Sequence, residues 1–354
     1  MRRPPKTGHA AWAPTMAVAA LVLAACGSPA GSGGAAPANG APPPGGMLVR
    51  QLNPGASLGT STSLTMASMG IAAKHGLNLQ FNASGASDTN NIAAVMSGAA
   101  DVSSASAATL DAIQAGAPLE ILACTDQRYM QIYLRNDIIA RIGVPPTAPL
   151  ADRAKALKGL SIATSAAGSQ NNDMVRQIVK ASGMDPDKDV QVVGLGDTSA
   201  IVGGIKTKRF DGAAYSPGVL EQNVADGEAS VYISVPNGDF LDLFDGAFSG
   251  TIFARKDWVE KHMDAVNALV DSLAEARKLK QANTDAVREK VRTDWFPKLD
   301  QKVFDSAWTT VVNAKGGDGV KCTRSGFDKT IAAGVGKDYS KVKYEDVILP
   351  RSQG

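Results

Sequence analysis

The chain alternates short apolar runs with segments of helical periodicity over residues 48–255. Apolar runs bounded by Gly, Pro, Asn or Ser are typical of buried strands, and apolar residues spaced three and four apart indicate helices. The alternation predicts an α/β fold with mainly parallel sheets flanked by helices. Strands are predicted at Leu48–Leu52, Leu77–Phe81, Asp101–Val102, Leu119–Cys124, Gln131–Leu134, Leu160–Ala163, Val190–Val193, Phe210–Ala214, Val231–Val235 and Thr251–Ala254.

This pattern occurs twice and then changes. Residues 48–124 and 160–235 both alternate strands with helices, which is a loose two-fold echo rather than a solenoid repeat. After Trp258 the apolar residues Val266, Leu269, Val270 and Leu273 follow helical spacing, and residues 286–292 and 303–312 continue it. The sequence therefore predicts two α/β units followed by a helical C-terminal region.

The N-terminus has the layout of an export signal. Basic residues at positions 2, 3 and 6 precede an apolar core, Met16–Ala25, that is too short to cross a bilayer. The end of that core, Leu23-Ala24-Ala25-Cys26, resembles a bacterial lipobox, which implies cleavage after residue 25 and a diacylglyceryl group on Cys26. Residues 26–46 are rich in Gly, Ser, Pro and Ala and are predicted to be a disordered tether. The alternative is an ordinary cleaved signal with an incidental cysteine.

Charge and composition exclude some classes of function. The full chain carries a formal charge of +2, but cleavage after residue 25 removes three basic residues and no acidic ones, leaving about −1. The apparent basicity therefore gives no reason to expect a nucleic-acid partner. The composition, 44% hydrophobic and 20% charged, is that of a globular domain.

Cysteine usage agrees with export, and histidine usage gives no sign of a metal site. With Cys26 lipidated, Cys124 and Cys322 remain as a pair that is either a disulfide or two buried thiols. The mature chain has only His75 and His262, without metal-ligand spacing, so neither a metal nor a cofactor is predicted.

Small polar residues follow most of the predicted strands. In open α/β sheets, ligands bind beyond the carboxyl ends of strands, where glycine allows close approach and hydroxyls, amides and helix N-termini donate hydrogen bonds. Each loop taken alone is better explained by helix capping. Together they predict a ligand cage comprising Ser57, Gly59, Thr60, Ser61, Ser84, Gly85, Ser104, Ser106, Gly168, Ser169, Gln170, Asn171, Thr198 and Tyr215.

The order of several segments resembles the periplasmic substrate-binding proteins of ABC importers, in the sulfonate/taurine/nitrate and thiamine-pyrimidine-precursor branch. The resemblance covers most of residues 47–280. It is carried by Ile71-Ala72-Ala73-Lys74-His75-Gly76-Leu77, Val95-Met96-Ser97-Gly98-Ala99-Ala100-Asp101-Val102, Ile113-Gln114-Ala115-Gly116-Ala117-Pro118-Leu119, Leu157-Lys158-Gly159-Leu160-Ser161-Ile162-Ala163, Gly183-Met184-Asp185 and Arg209-Phe210-Asp211-Gly212-Ala213.

This resemblance implies a two-lobed periplasmic-binding-protein type II fold. Lobe one is expected to comprise residues 47–130 and 240–345, and lobe two residues 131–239. The resemblance also implies that residues 103–106 and 167–171 line the ligand, that the lobes close on a small solute, and that the closed form is presented to a permease and its ATPase. Loops rich in Ser, Gly and Asn favour a small anion such as an alkyl sulfonate.

Two other motifs suggest enzymes. Gly55-Ala56-Ser57-Leu58-Gly59 matches the nucleophile elbow of serine hydrolases, and His262, with Asp242 or Asp245, is the downstream base and acid that it would need. His262 lies in a predicted helix rather than a loop, however, which disfavours a triad. Gly194-Leu195-Gly196 begins like a dinucleotide fingerprint but lacks the third glycine.

We therefore expect a monomeric, non-enzymatic, lipid-anchored extracytoplasmic solute-binding protein. It would capture a small polar, sulfonate-like anion by hinge closure. The rivals are an exported serine hydrolase that uses Ser57, and a binding module that serves as a sensor rather than in transport.

Overall fold

The computed structural model describes residues 45–83, 87–105, 107–127, 129–195, 197–314 and 320–354. Its strands form two five-stranded sheets. Their bounds are β1 Met47–Asn53, β2 Leu77–Ala83, β3 Val102–Ala105, β4 Leu119–Gln127, β5 Gln131–Arg135, β6 Ser161–Thr164, β7 Gln191–Gly194, β8 Gly212–Tyr215, β9 Ala229–Ser234 and β10 Phe248–Arg255. The predicted strands are confirmed to within a few residues at each end.

Both sheets are mainly parallel, with a single strand in each that runs against the others. Sheet one has the order β2-β1-β3-β10-β4, in which β1 pairs in parallel with β2 and β3 while β10 runs antiparallel to β3 and β4. Sheet two has the order β7-β6-β8-β5-β9, with β6 parallel to β7 and β8 and with β5 antiparallel to β8 and β9. We call sheet one with its packed helices lobe one, and sheet two with its helices lobe two.

Helices connect the strands and make up most of the chain after β10. Their bounds are α1 Ser61–Ser68, α2 Ile71–Lys74, α3 Asp88–Ser97, α4 Ala107–Gln114, α5 Asn136–Ile142, α6 Leu150–Lys155, α7 Gln170–Ala181, α8 Thr198–Lys206, α9 Glu221–Ala225, α10 Leu241–Phe244, α11 Lys256–Lys261, α12 Met263–Ala282, α13 Asp285–Trp295, α14 Gln301–Val312, α15 Arg324–Ala332 and α16 Tyr344–Val347, with 3₁₀ turns at Leu58–Thr60 and Pro350–Ser352. None of the described helices is long and apolar enough to cross a membrane.

Local sequence explains where α3 begins and ends. The Ser87 hydroxyl accepts a hydrogen bond from the Asn90 amide at 3.3 Å, which satisfies one of the free N–H groups at the helix start. The helix ends at Gly98, whose φ of +78° is the left-handed conformation that glycine adopts without steric cost.

The apolar stripe of α12 packs on sheet one. Val266, Leu269, Leu273 and Ala276 are fully buried, and they share a core with Val49 of β1 and other strand residues. The spacing of these residues places them on one helix face, so the helix covers the sheet while its opposite face meets solvent. The helical C-terminal region predicted from the periodicity is thereby confirmed.

The C-terminal segment is bonded to lobe one by a disulfide and by backbone hydrogen bonds. Cys124 of β4 and Cys322 form a disulfide across 198 residues of sequence. The Leu349 amide donates to the Ile121 carbonyl at 2.9 Å, and residue 348 makes a parallel bridge with residue 121. The last residues of the chain thus lie along β4.

The chain crosses between the lobes twice, between β4 and β5 and again between β9 and β10. The structure has the two-lobed fold that was predicted, with each lobe a mainly parallel sheet flanked by helices. The limits of the lobes given above stay a prediction. The signal peptide, Cys26 and most of the tether lie outside the described residues.

Candidate functional site

A cavity of about 640 Å³ lies between the two lobes. Its walls come from the loops after β1, β3, β6, β7 and β8 and from the start of α3. These loops follow the carboxyl ends of strands from both sheets, which is where open α/β sheets bind ligands. The cavity is large enough for a small organic solute.

The loop after β1 is shaped by its own side chains. Asn53, which is fully buried, donates to the Gly55 carbonyl and to the Thr60 hydroxyl, both at 2.9 Å. The Ser57 hydroxyl accepts from the Gly59 amide at 3.1 Å, so it caps the 3₁₀ turn that follows. These bonds hold Ser57, Gly59 and Thr60 against the cavity.

The loop after β6 forms the opposite wall. Ser165 and Ser169 share a hydrogen bond of 2.7 Å between their hydroxyls, and the Asn171 amide donates to the Ser165 hydroxyl at 3.3 Å. Ser169 also caps α7 by accepting from the Asn172 amide. The loop therefore presents hydroxyl and amide groups beside a helix start, an arrangement that binds polar or anionic groups.

Tyr215, the last residue of β8, forms part of the cavity wall that lobe two provides. Burial raises the pKa of its phenol, and the charge of Asp88 in lobe one raises it further, while a hydrogen bond with Thr198 acts in the opposite direction. Tyr215 is therefore neutral at ordinary pH and able both to donate and to accept a hydrogen bond.

Direct contacts join the lobes around the cavity. The Gln170 amide of lobe two donates to the Ser249 hydroxyl of lobe one at 3.0 Å. A Cβ placed on Gly59 would lie 2.6 Å from the Ser216 hydroxyl oxygen, so the two loops touch only because residue 59 has no side chain. The described residues thus have the lobes closed over the cavity.

Lys337 bridges the lobes at the edge of the cavity. Its ammonium lies 3.0 Å from the Asp111 carboxylate on α4 and 2.7 Å from the Asp173 carboxylate on α7, and it also donates to the Gly168 carbonyl at 3.2 Å. Burial alone would lower the pKa of Lys337, but hydrogen bonding and charge from Asp173 and Asp111 outweigh burial and raise it. Lys337 therefore remains charged and contributes to closure.

The structure brings most of the predicted cage residues together. Ser84, Gly85 and Ser106 lie outside the described residues, and whether the other residues bind a solute stays a prediction. The predicted residues that line the cavity are Ser57, Gly59, Thr60, Ser104, Gly168, Ser169, Gln170, Asn171, Thr198 and Tyr215.

Ser61 is the exception. Its side chain is fully buried away from the cavity and donates to the Asp126 carboxylate at 3.2 Å, and the Lys280 ammonium donates to it. Lys280 and Asp126 form an ion pair of 2.7 Å with both side chains almost wholly buried. Ser61 is therefore part of a structural network in lobe one and, unlike the other described cage residues, does not line the cavity.

Several lining residues were missed. Asp88, Asp111, Ser165, Ser216 and Ser249 all line the cavity. Ser165 and Ser216 belong to loops that contain predicted cage residues. Ser249 lies near the start of the antiparallel strand β10, whereas ligand-binding residues were sought beyond the carboxyl ends of strands. Asp88 and Asp111 were not among the predicted cage residues.

The surroundings of Asp88 raise the pKa of its carboxyl group. Burial raises its pKa from 3.8 to about 6, without a compensating contribution from a basic side chain. The carboxyl is on the first residue of α3, in the cavity lining. Its ionised form is thus disfavoured unless a ligand supplies a positive charge or hydrogen-bond donors.

The hydrolase arrangement is not assembled in the described residues. His262 hydrogen-bonds the Trp258 carbonyl through Nδ1 at 2.8 Å and stacks on the Trp258 ring, between α11 and α12. It does not line the cavity, and Ser57 has no imidazole partner among the described residues. Ser57 acts instead as the cap described above.

The second motif also has a structural role. Gly194 ends β7, and α8 begins at Thr198 after an Asp197 cap. Gly196, the second glycine of the motif, lies outside the described residues. Among the described residues no group of three His, Cys, Asp or Glu side chains is arranged to hold a metal ion.

Comparison with known families identifies the chain. The model of the NMT1-like family matches residues 56–293, about two thirds of the chain. The chain belongs to the NMT1-like family. No curated protein matches it.

Solved structures similar to this NMT1-like protein are solute-binding proteins. The alkanesulfonate-binding protein SsuA from Xanthomonas axonopodis pv. citri, bound to MOPS, has a TM-score of 0.65 and 14% identity, covering 89% of this chain and 100% of that one. The periplasmic nitrate-binding protein NrtA from Synechocystis PCC 6803 has a TM-score of 0.57 and 17% identity, covering 77% and 70%. The ligand-binding component of an ABC-type import system from Staphylococcus aureus has a TM-score of 0.65 and 11% identity, covering 86% and 97%. At these identities the likeness shows the fold.

Proposed function

We propose that this protein is the extracytoplasmic solute-binding component of an ABC importer. It captures a small polar solute between its lobes and delivers it in the closed form to a permease with an associated ATPase. The observation that carries the proposal is the cavity between the lobes, to which both lobes contribute hydroxyls, amides and helix starts. A ligand that touches both walls favours the closed state, and a permease can distinguish closed from open.

The family and its structural neighbours support binding rather than catalysis. The neighbours are binding proteins by name, and the NMT1-like family covers the segments that build the cavity. Ser57, the only nucleophile that the sequence suggested, is a turn cap. We therefore propose that the protein does not change its solute chemically and works as a monomer.

The identity of the solute is supported less directly than solute binding itself. The sulfonate-like anion expected from the sequence is supported by the ligands named for two neighbours and by the hydroxyl-rich loop at the start of α7. Two carboxyl groups in the lining, Asp88 and Asp111, oppose it. A sulfonate-like ligand stays a prediction.

A thermal-shift screen tests the proposed function. The purified protein is heated with nitrate, alkanesulfonates, amino acids, amines and pyrimidines. A solute at a thousandfold excess over its Kd raises the free energy of unfolding by roughly 4 kcal/mol. If no small polar solute shifts the melting temperature, the solute-binding proposal is wrong.

Membrane attachment has its own test. The proposed diacylglyceryl group on Cys26 would hold the protein at the membrane, since two acyl chains anchor a soluble domain stably. Expressed with its own N-terminus, the wild-type protein is expected in the membrane fraction and to incorporate labelled palmitate. Cys26→Ser should abolish the label, and a labelled Cys26→Ser protein would contradict the assignment.

A further inference from the structure

The charge of the cavity constrains the solute more narrowly than its size does. Among the described residues that line it, the charged side chains are two carboxyl groups, Asp88 and Asp111, and no Lys, Arg or His is present. The remaining lining consists of hydroxyl, amide, small and apolar groups. The lining side chains in the described part of the chain therefore supply negative charge and no positive charge.

The Asp111 carboxylate already has a cationic partner and a hydrogen-bond donor. Lys337 lies 3.0 Å from its Oδ2, and the Tyr339 hydroxyl donates to its Oδ1 at 2.7 Å. Lys337 also pairs with Asp173, so its single positive charge is shared between two carboxylates, one in each lobe. Asp111 consequently needs little compensation from a ligand.

Asp88 has no such partner. No hydrogen bond or ion pair involves its carboxylate in the described part of the chain, and its charge raises the pKa of the Tyr215 phenol on the other lobe. The raised pKa of Asp88 itself has burial as its cause, so the site offers the ionised form little compensation. Burying a carboxylate without a partner is costly, and a cationic group placed beside it would remove that cost.

Helix capping explains only part of this arrangement. An acidic residue in the first turn of an exposed helix is stabilised by about 0.3–1 kcal/mol. Asp285 occupies the same position in α13, directly after a Thr284 cap, and its side chain is 92% exposed. The helix start therefore accounts for an acid at residue 88 but not for its position in the wall of a closed cavity.

We propose that the solute carries a protonated amine or amidinium group that pairs with Asp88. This inference rests on the proposed function and names its ligand class. The polar remainder of the solute is bound by the hydroxyl and amide groups of the loop after β6, on the opposite wall. An anionic group beside Asp88 would instead add repulsion between like charges.

Matched pairs of solutes test the proposal. Calorimetric titration at pH 7.5 compares putrescine with 1,4-butanediol, arginine with citrulline, and taurine with ethanesulfonate, so that each pair differs in a cationic group. In every pair that binds, the cationic member is expected to bind at least about tenfold more tightly, because charge-assisted hydrogen bonds are roughly twice as strong as neutral ones.

Variants at residues 88 and 285 test whether Asp88 causes the preference for cationic solutes. Asp88→Asn should remove most of the preference for the cationic member, and Asp88→Ser serves the same purpose if the first variant folds poorly. Asp285→Asn is the matched control, because it changes the same helix position on the exposed surface, and it should retain wild-type affinity.

Other outcomes contradict the proposal and separate it from the proposed function. A neutral or anionic solute that binds most tightly, with affinity unchanged or improved in Asp88→Asn, would overturn the ligand class and leave solute binding intact. If neither these pairs nor the broader screen yields a ligand, the proposed function fails as well.

Discussion

Lys280 is a buried cation whose charge is balanced by one carboxylate. Its ammonium lies 2.7 Å from Asp126, both side chains are at most 2% exposed, and the ammonium also lies 5.6 Å from the centre of the Tyr129 ring. Lys280→Met should lower the free energy of unfolding by about 3–5 kcal/mol, because it leaves the buried Asp126 carboxylate without a counter-charge. Urea denaturation followed by circular dichroism measures this change.

The control for this prediction removes the second charge. In Lys280→Met/Asp126→Leu no uncompensated charge remains, so the double variant should be more stable than the single one. Lys302→Met, at an exposed position, should change the free energy of unfolding by less than about 0.5 kcal/mol. Equal stability of the Lys280 single variant and the wild type would show that the pair contributes nothing.

Asp88 makes the stability of the folded protein depend on pH in a defined direction. Its folded-state pKa is raised to about 6 from 3.8, so the folded protein binds this proton more tightly than the unfolded chain does. The stabilising contribution is complete below about pH 3.8 and is lost as the pH rises through 6. Without a solute, Asp88→Asn should therefore melt higher than the wild type at pH 8 and similarly at pH 4.

Scanning calorimetry from pH 4 to pH 8 checks this dependence. Asp285→Asn, which changes an exposed acid, should show no comparable trend with pH. A variant at residue 88 that melts lower than the wild type at pH 8 would mean that the ionised carboxylate stabilises the empty protein.

Residue roles were only partly predictable because they depend on distant partners. Ser61 and Thr60 are adjacent small hydroxyl residues after the same strand, and no local pattern separates them. Thr60 lines the cavity, while Ser61 hydrogen-bonds Asp126, 65 positions later in the sequence. Asp88 was not predicted as a cage residue for a similar reason. An acid at the start of a helix has a local explanation, and only the arrangement of the two lobes shows that this one lines the cavity.

Among the elements, strands were predicted well because a strand buried on both faces is apolar along its length. β3 shows the limit of that rule. Only Asp101 and Val102 were expected, yet the strand is Val102–Ala105 and contains two buried serines. The Ser103 hydroxyl is satisfied by the Leu52 carbonyl at 3.0 Å, a cross-strand bond that the local sequence does not reveal.

The disulfide is the covalent link between elements that are far apart in sequence. It joins β4 to the segment before α15 and closes a loop of 198 residues. Cys322→Ser should lower the free energy of unfolding by about 2–5 kcal/mol, because the unfolded chain regains the entropy that the crosslink removes. Guanidinium denaturation of the variant and the wild type measures the difference.

Reduction provides the matched control. Dithiothreitol should lower the free energy of unfolding of the wild type to about that of the Cys124→Ser/Cys322→Ser variant. The same reagent should leave the double variant unchanged, because it has no crosslink to reduce. If reduction leaves the wild type unchanged, the crosslink does not contribute to stability.

For the whole molecule, the contact between Gly59 and Ser216 limits how closely the lobes approach. Gly59→Ala would place a methyl group 2.6 Å from the Ser216 hydroxyl oxygen unless the loops moved apart. The closed state should become less populated, and the apparent Kd for a bound solute should rise by about three- to tenfold in proportion. Small-angle scattering should show a larger radius of gyration for the variant at saturating solute.

Gly203→Ala is the control, because a Cβ at residue 203 meets nothing within 4 Å. It should bind solute as the wild type does. Closure equal to the wild type in Gly59→Ala would mean that Ser216 turns aside at no cost.

The two-lobed organisation was predictable, whereas the closed arrangement was not. The repeated strand–helix pattern and the family resemblance were enough for the fold. Closure depends on contacts such as Lys337 with Asp173, which lie 164 positions apart and in different lobes. Such pairs leave no periodic signal in a single sequence.

The position of β10 also determines the order in which the chain can fold as it is made. Lobe two takes its strands from one continuous stretch, residues 131–234, and can assemble as soon as that stretch is available. Lobe one needs β10 between β3 and β4, where Thr251 pairs with Ala105, 146 positions earlier. Until residue 255 has emerged, β3 and β4 have exposed edges that invite aggregation. A chaperone that holds the early segments of lobe one would consequently matter more to the yield of this protein than one acting on lobe two.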